Sequence, residues 1–179
     1  MASAATIARN YAEALFELGE QHGQAELYGE LLDAVAAAVE QSPEAQAVLM
    51  SPRVPKAEKN RILSQALAET PREFVLFLQA VVKRGRQVLL REIATAYVGL
   101  LDVKFNRVRA GVTVAREPDA ALRRDIEAGL SRALGKEVIA NFHVDPEILG
   151  GTIVRVGERV YDGSLRRRMA RLRRQLLAR

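Results

Sequence analysis

No cysteine and no tryptophan occur among the 179 residues, and histidine appears only twice, as His22 and His143. Without cysteine there is no disulfide framework, no thiolate nucleophile and no thiolate metal site. His22 falls at the end of a predicted helix and His143 on the outward side of a predicted strand. Both read as solvated surface groups, not as parts of a metal site or a Ser–His pair. No apolar run approaches the roughly 20 residues needed to cross a bilayer. The opening MASAATIARNYAEALF is amphipathic and has no unbroken apolar segment of secretory type, so the chain is expected to stay in the cytoplasm. The glycine cluster GGTIVRVGERVYDGS lacks a Gly-Lys-Ser/Thr ending, and GxGxxG spacing is absent, so these glycines read as turn and hairpin positions and not as a phosphate cradle. No acid pair stands in an evident catalytic setting. The expectation is a protein that is not an enzyme and holds no cofactor or metal.

What remains is soluble and globular in character: 49% hydrophobic and 27% charged residues, enough chain for one large domain or two small ones. The net charge of +5 is unevenly placed. Residues 151–179 carry nine arginines against two acids, whereas residues 1–150 carry 18 basic and 20 acidic groups. The basic excess therefore belongs to the C-terminal end, which assigns that end an electrostatic role.

The first hundred residues alternate between helical stripes and stop signals. From Ser3 to His22, Ile7, Tyr11, Leu15 and Leu18 recur at helical spacing, widened by Ala8, Ala12 and Phe16, and Gly23 follows as a stop. Gln24 to Glu40 turns Leu27, Leu31, Leu32, Val35 and Val39 inward. Ser42-Pro43 reads as a cap with proline at the first helical position, opening a short helix that Ser51-Pro52 breaks. Pro55 opens a fourth helix to about Ala68, and Thr70-Pro71 repeats the cap-plus-proline start for a fifth, which Gly85 ends. Arg86 to Phe105 is predicted as the last and longest, lined by Leu90, Ile93, Tyr97, Leu100, Leu101 and Phe105.

After Asn106 the period changes. Val108, Ala110, Val112 and Val114 alternate as a half-buried strand. Pro118 opens a helix to about Leu134 carrying Leu122, Ile126 and Leu130. Glu137 to Asp145 alternates again, with Val138, Ala140, Phe142 and Val144 inward and Asn141 and His143 outward. Two short strands, Thr152 to Val156 and Arg159 to Tyr161, are joined by Gly157-Glu158 as a two-residue hairpin loop. A last helix begins near Ser164. The predicted fold is mixed, α plus α/β: an N-terminal six-helix bundle over residues 1–105, then a small α+β domain over residues 106–179.

Two features read as contact surfaces. FVLFLQAVV, Phe74 to Val82, is apolar around nearly its whole circumference, so it is either central in the bundle or covered by a partner. With the over-apolar first helix it could form a groove for an amphipathic helix of another chain. LRRRMARLRRQLLAR places Leu165, Met169, Leu172 and Leu176 at spacings of four, three and four, a heptad-like seam suited to its own sheet or to a partner helix. The arginines around it read as a solvated basic surface, as a dock for an acidic protein, or as a phosphate-binding face for nucleic acid. Nucleic acid calls for interleaved aromatics or a helix-turn-helix pattern, and the tail's only aromatic is Tyr161.

ARNYAEALFELG, Ala8 to Gly19, resembles the opening helix of F-type ATP synthase delta subunits, called the oligomycin-sensitivity-conferring protein in mitochondria. VVKRGRQVLLREIATAY, Val81 to Tyr97, resembles their junction of fifth and sixth helices. VDPEILGGTIVRVGERVYDGSLRRRMARL, Val144 to Leu172, resembles their C-terminal signature in its double glycine, Val-Gly and Asp-Gly-Ser-Leu-Arg elements. The resemblance implies a non-catalytic connector, one copy per complex, at the cytoplasmic face of the cell membrane as a peripheral subunit. Its bundle would bind the N-terminal helix of an alpha subunit in a groove that sets Tyr11, Ala14, Leu15 and Leu18 beside Val75, Leu78, Gln79 and Val82. Its C-terminal domain would meet the b-type peripheral stalk through Gly150, Gly151, Val156, Asp162, Gly163, Ser164 and Leu165, the arginine helix behind them. The glycines and Asp-Gly read equally as turns needed for folding. Tyr11→Asp or Leu78→Asp is then expected to spare the fold and abolish alpha binding. No small-molecule substrate is implied, and membrane contact only through the complex.

Overall fold

The computed structural model describes residues 3–177. The chain divides into two units, Met1–Val103 and Lys104–Arg179. The first holds helices α1 (Ala4–Gln21), α2 (Ala25–Gln41), α3 (Pro43–Met50), α4 (Lys56–Ala66), α5 (Arg72–Lys83) and α6 (Leu90–Lys104), the last entered through a 3-10 turn at Gln87–Leu89. The six-helix reading of the sequence holds. Ser3 caps α1 by accepting from the Thr6 N–H, and Ser42 caps α3 by accepting from Ala45 N–H with Pro43 behind it. Thr70 does not cap α5. Its hydroxyl donates 2.8 Å back to the Leu67 carbonyl, closing α4, and Pro71 starts the next helix unaided.

Tyr97 organises this core. Its side chain is fully buried and its hydroxyl donates 2.8 Å to the Ala25 carbonyl, tying α6 to the first turn of α2. The ring and hydroxyl lie so close to Gly19 and Gly29 that a Cβ on either would come within about 3 Å of them. Phe16 meets the same ring edge-on at 5.8 Å. At the surface Arg91 of α6 reaches Asp33 at 2.6 Å and Glu40 at 2.7 Å, both on α2. Lys59 of α4 is buried, and its Nζ donates 2.7 Å to the Leu49 carbonyl at the end of α3, which also accepts from Gln87 Nε2 at 3.1 Å. That satisfies an orphan helix-end carbonyl from two other elements.

The second unit is a four-stranded sheet with two helices: β1 (Arg107–Val114), α7 (Ala120–Leu134), β2 (Glu137–Val144), β3 (Thr152–Val156), β4 (Arg159–Asp162) and α8 (Leu165–Leu177). The strand order is β2-β1-β3-β4. β1 pairs parallel with β2 through the α7 crossover, and antiparallel with β3. The predicted hairpin is present: Val156 pairs with Arg159, and Gly157 takes φ +56° at the first loop position. Ala110, Val112, Val114, Val138 and Val154 form the core, covered by Ile126, Leu130 and Leu134 of α7.

Four expectations are corrected, the first being Leu27 of α2, expected inward but 40% exposed. α6 stops at Lys104 because Asn106 turns the chain with φ +50°, and Phe105 leaves the bundle stripe to lie 4.6 Å under the Arg107 guanidinium. α1, with 18 residues, is longer than α6, with 15. Leu122 stays 48% exposed, since the stripe of α7 that meets the sheet begins at Ile126.

Candidate protein-contact surfaces

On α1, residues Ile7, Tyr11 and Leu18 are half-buried and Ala14 is exposed, at spacings of four, three and four along one face. Tyr11 packs edge-on against Phe77 of α5 at 6.2 Å, which fixes where the two helices meet. Beside this contact opens a concavity of about 410 Å³ lined by Ile7, Asn10, Tyr11, Ala14, Arg84 and Arg86. Its wall is α1 and its mouth is the arginine pair after α5.

Not all of the residues assigned to this groove reach the surface. Leu15, Leu78 and Val82 are buried in the bundle core and support the surface from beneath. Gln79 turns toward α4, where its Nε2 donates 2.7 Å to Ser64 Oγ. Val75 stands one turn before Gln79 on that same face, half-buried. The side of α5 that meets α1 is marked by Phe77. Periodicity could not select that face, because FVLFLQAVV is apolar nearly all round, and only tertiary packing orients it. The burial of Leu78 also overturns the expectation that Leu78→Asp would spare the fold. A larger apolar concavity, about 520 Å³, opens between α2, α3 and α4 with Leu31, Ala34, Ala38, Val48 and Ile62 in its lining.

In the second unit, most residues assigned to stalk contact are engaged in launching α8. Leu149, Gly150 and Gly151 all have positive φ, at +64°, +150° and +81°. Their turn packs on the chain entering α8: Leu165 N–H donates 2.9 Å to the Gly150 carbonyl, and Gly163 N–H donates 2.9 Å to the Thr152 carbonyl. A Cβ on Gly151 would meet the Gly163 carbonyl oxygen at 2.5 Å. Asp162 Oδ1 accepts from Ser164 N–H at 3.0 Å, and buried Ser164 caps the helix by accepting from Arg167 N–H at 3.2 Å. The hydrogen bond from Ser164, with Arg167 and Arg166 nearby, holds the Asp162 carboxyl below the usual carboxylate range. Val156 is half-buried against the sheet core. Of the assigned set, Leu165 is the large apolar side chain left exposed, and it begins the seam of α8.

That seam does not pack on its own sheet. Leu165, Met169, Leu172 and Leu176 are 45, 61, 58 and 75% exposed. Val160 and Tyr161 of the edge strand β4 are also exposed. Of the arginines counted in the sequence for this helix, Arg179 lies outside the described residues.

Residues 7–176 match the family model of the ATP synthase delta (OSCP) subunit. The chain belongs to this family. It is 46% identical over 172 residues to the ATP synthase subunit delta of Gemmatimonas aurantiaca, covering 96% of this chain and 93% of that one. It is 35% identical over 173 residues to the ATP synthase subunit delta of Desulforamulus reducens, covering 96% of each. In fold it is similar to a chain of the cryo-EM structure of the Toxoplasma gondii mitochondrial ATP synthase hexamer, with a TM-score of 0.68 over 97% of this chain and 99% of that chain at 24% identity. Membership makes it a structural subunit of the ATP synthase, belonging to the peripheral stalk and not to the catalytic machinery. Among the described residues no helix is long and apolar enough to cross a membrane.

Proposed function

We propose that this delta-family chain is the stator connector of an F-type ATP synthase, joining the alpha/beta head to the b-type peripheral stalk at the cytoplasmic face of the membrane. The N-terminal unit takes the N-terminal helix of one alpha subunit along the α1–α5 surface, and the C-terminal unit takes the stalk. Torque from the central shaft would otherwise turn the alpha/beta ring, so the connector resists rotation and performs no chemistry.

The observation that supports this most is a pair of unfilled surfaces, one on each unit. Ile7, Tyr11 and Ala14 line one concavity, with Leu18 one turn further along the same face of α1, and the bare seam of α8 stands on the other unit. A monomeric soluble protein seldom leaves a contiguous apolar row like the α8 seam exposed without a partner. Two separate contacts also suit a tether, since each holds the other at high effective concentration and slows release. Direct contact at the α1–α5 surface falls to Tyr11, Ala14 and Leu18, with Leu15, Leu78 and Val82 as the buried floor and Val75 and Gln79 toward α4.

Calorimetric titration of the full chain with a peptide of the cognate alpha subunit's N-terminal segment tests this. One-to-one binding below 1 μM, beyond about 8 kcal/mol, is expected. Ala14→Asp, at an exposed position, should remove it with the circular dichroism spectrum unchanged, and Tyr11→Asp should weaken it likewise. Normal affinity in folded Ala14→Asp would move the alpha site elsewhere, and the groove between α2, α3 and α4 would be the surface to mutate next.

A further inference from the structure

α8 is 13 residues long, about 20 Å. At 100° per residue its four seam residues fall within about 60° of arc. In heptad terms Leu165 and Leu172 are d positions and Met169 and Leu176 are a positions. The flanking e and g positions are then Arg166, Arg168, Arg173 and Gln175, so three of the four are arginine. Arg167, Arg171 and Arg174 occupy the far face. Arg166 comes within 3.7 Å of Glu147, and Arg167 within 3.7 Å of Asp162, both at exposed sites where such pairs contribute little. Among the described residues Arg168, Arg171, Arg173 and Arg174 meet no carboxylate. On the Arg168 side, between α8 and the end of β4, lies an open space of about 500 Å³ lined by Asp162, Gly163, Arg167, Arg168, Arg171, Leu172 and Gln175.

Three occupants are conceivable, and the charge pattern and seam width separate them. A second copy of α8 in parallel would set Arg168 against the second copy's Arg173, and an antiparallel one would set Arg166 against Arg173, so self-pairing is opposed in either direction. An anionic bilayer favours an apolar arc of about 100° or more with aromatic anchors, and α8 offers a narrower stripe and no aromatic residue. A narrow seam flanked by one sign of charge is what a coiled-coil strand presents to a partner of opposite charge.

We infer that α8 is a heptad docking strand for one acidic amphipathic helix, with Leu165, Met169, Leu172 and Leu176 supplying the contact and Arg166, Arg168 and Arg173 selecting a partner with carboxylates flanking its own seam. The inference rests on the proposed docking of the C-terminal unit to the stalk and gives that contact its chemistry. The space beside Arg168 and Arg171 receives the partner's carboxylates on one flank, and Arg166 and Arg173 meet them on the other. The seam supplies affinity, and the arginines supply register and exclude basic or self partners.

The test uses the full chain and two designed three-heptad peptides with leucine at a and d, one with glutamate and one with lysine at e and g. The glutamate peptide should bind, more weakly as salt is raised, and the lysine peptide should not. Leu172→Glu, at an exposed position, should abolish binding with the circular dichroism spectrum retained. Arg168→Glu with Arg173→Glu should weaken the glutamate peptide by about tenfold and gain binding of the lysine peptide. Absence of glutamate-peptide binding, equal binding by folded Leu172→Glu, no exchange of preference on charge reversal, or tighter binding to phosphatidylserine vesicles than to the peptide would each overturn it. Titration with the cognate b-type stalk subunits separates the two readings. Stalk binding that survives Leu172→Glu sinks the α8 inference and leaves the stalk reading standing. A stalk that fails to bind the wild-type chain sinks the stalk reading, while the peptides alone then decide what α8 takes.

Discussion

Gly151→Ala should be among the most damaging single methyl additions in the C-terminal unit, although Gly151 lies at the surface. Two costs combine. The residue sits at φ +81°, where an L side chain costs about 1–2 kcal/mol. Its Cβ would stand 2.5 Å from the Gly163 carbonyl oxygen and 3.2 Å from Ser164 Cα, where ordinary contact is 3.4 Å or more. Both neighbours are backbone, so no side-chain rotation relieves the clash, and overpacking of this kind costs about 1–3 kcal/mol. The sum, about 2–5 kcal/mol, is a large share of the stability of a small domain. Gly157→Ala is the control: φ is also positive at +56°, but no atom lies within 4 Å, so only the conformational cost of about 1–2 kcal/mol applies. Urea denaturation gives the two losses. Amide exchange at Gly163 and Leu165, whose N–H groups bond across the turn, shows whether the methyl pushes α8 off its base. If Gly151→Ala costs no more than Gly157→Ala, or leaves those two amides as protected as before, the turn does not anchor α8.

Tyr97→Phe deletes the hydroxyl that donates to Ala25 and should cost the bundle about 1 kcal/mol, read by thermal or chemical melting. Burial, more than the nearby Tyr28 and Glu20, pushes the Tyr97 hydroxyl above the ordinary tyrosine range. Its contribution is therefore complete below about pH 10 and lost as pH rises through the folded value, so the wild-type bundle should weaken in alkali more steeply than Tyr97→Phe. Asp162 has the opposite sign: its folded value is depressed, so its contribution is complete above about pH 4 and lost as pH falls through the lower folded value. Asp162→Asn should flatten the acid limb of protection at the Ser164 and Arg167 amides. Leu149 adopts φ +64°, which asparagine tolerates far better than leucine, and its side chain is 65% exposed. Leu149→Asn should stabilise the C-terminal unit by up to about 1 kcal/mol, and an unchanged or lowered midpoint in urea would mean that the leucine is not strained there.

The elements were legible because local signals and tertiary packing agree in most of them. Ser42-Pro43, Gly23, Gly85 and Gly157 each mark a real boundary, and the alternation of Val108 to Val114 survives as a sheet face. The failures share one cause. Thr70-Pro71 looked like Ser42-Pro43, but the Thr70 hydroxyl had a competing acceptor in the preceding helix. Phe105 continued the α6 stripe in register, until a left-handed asparagine ended the helix one residue earlier. The resemblance sets Gln79 in the groove, whereas its amide donates to Ser64 of α4. Each outcome depends on which hydrogen-bond partner a side chain takes in the folded chain or on a backbone angle, and neither is encoded in periodicity. The α8 seam was readable because spacing and charge lie within one helix. That it stands bare was not, since the same stripe would suit the chain's own sheet.

The C-terminal unit fixes the origin of α8 unusually well for a helix whose sides touch so little. Gly150 and Gly151 bring the turn against its start, Asp162 orders the approach, and Ser164 closes the first turn from a buried position. None of this buries Met169, Leu172 or Leu176. For a solitary protein that arrangement only costs stability, because roughly three turns of helix are held together by their own hydrogen bonds, and a helix of this length is marginal alone. It becomes useful once a partner supplies the missing face. A helix held at its root presents its seam in one direction, so less entropy is lost when the partner binds than if the segment had to fold on contact. Under the proposed connector role the same anchoring would pass load on α8 at its root into the turn and the sheet hydrogen bonds.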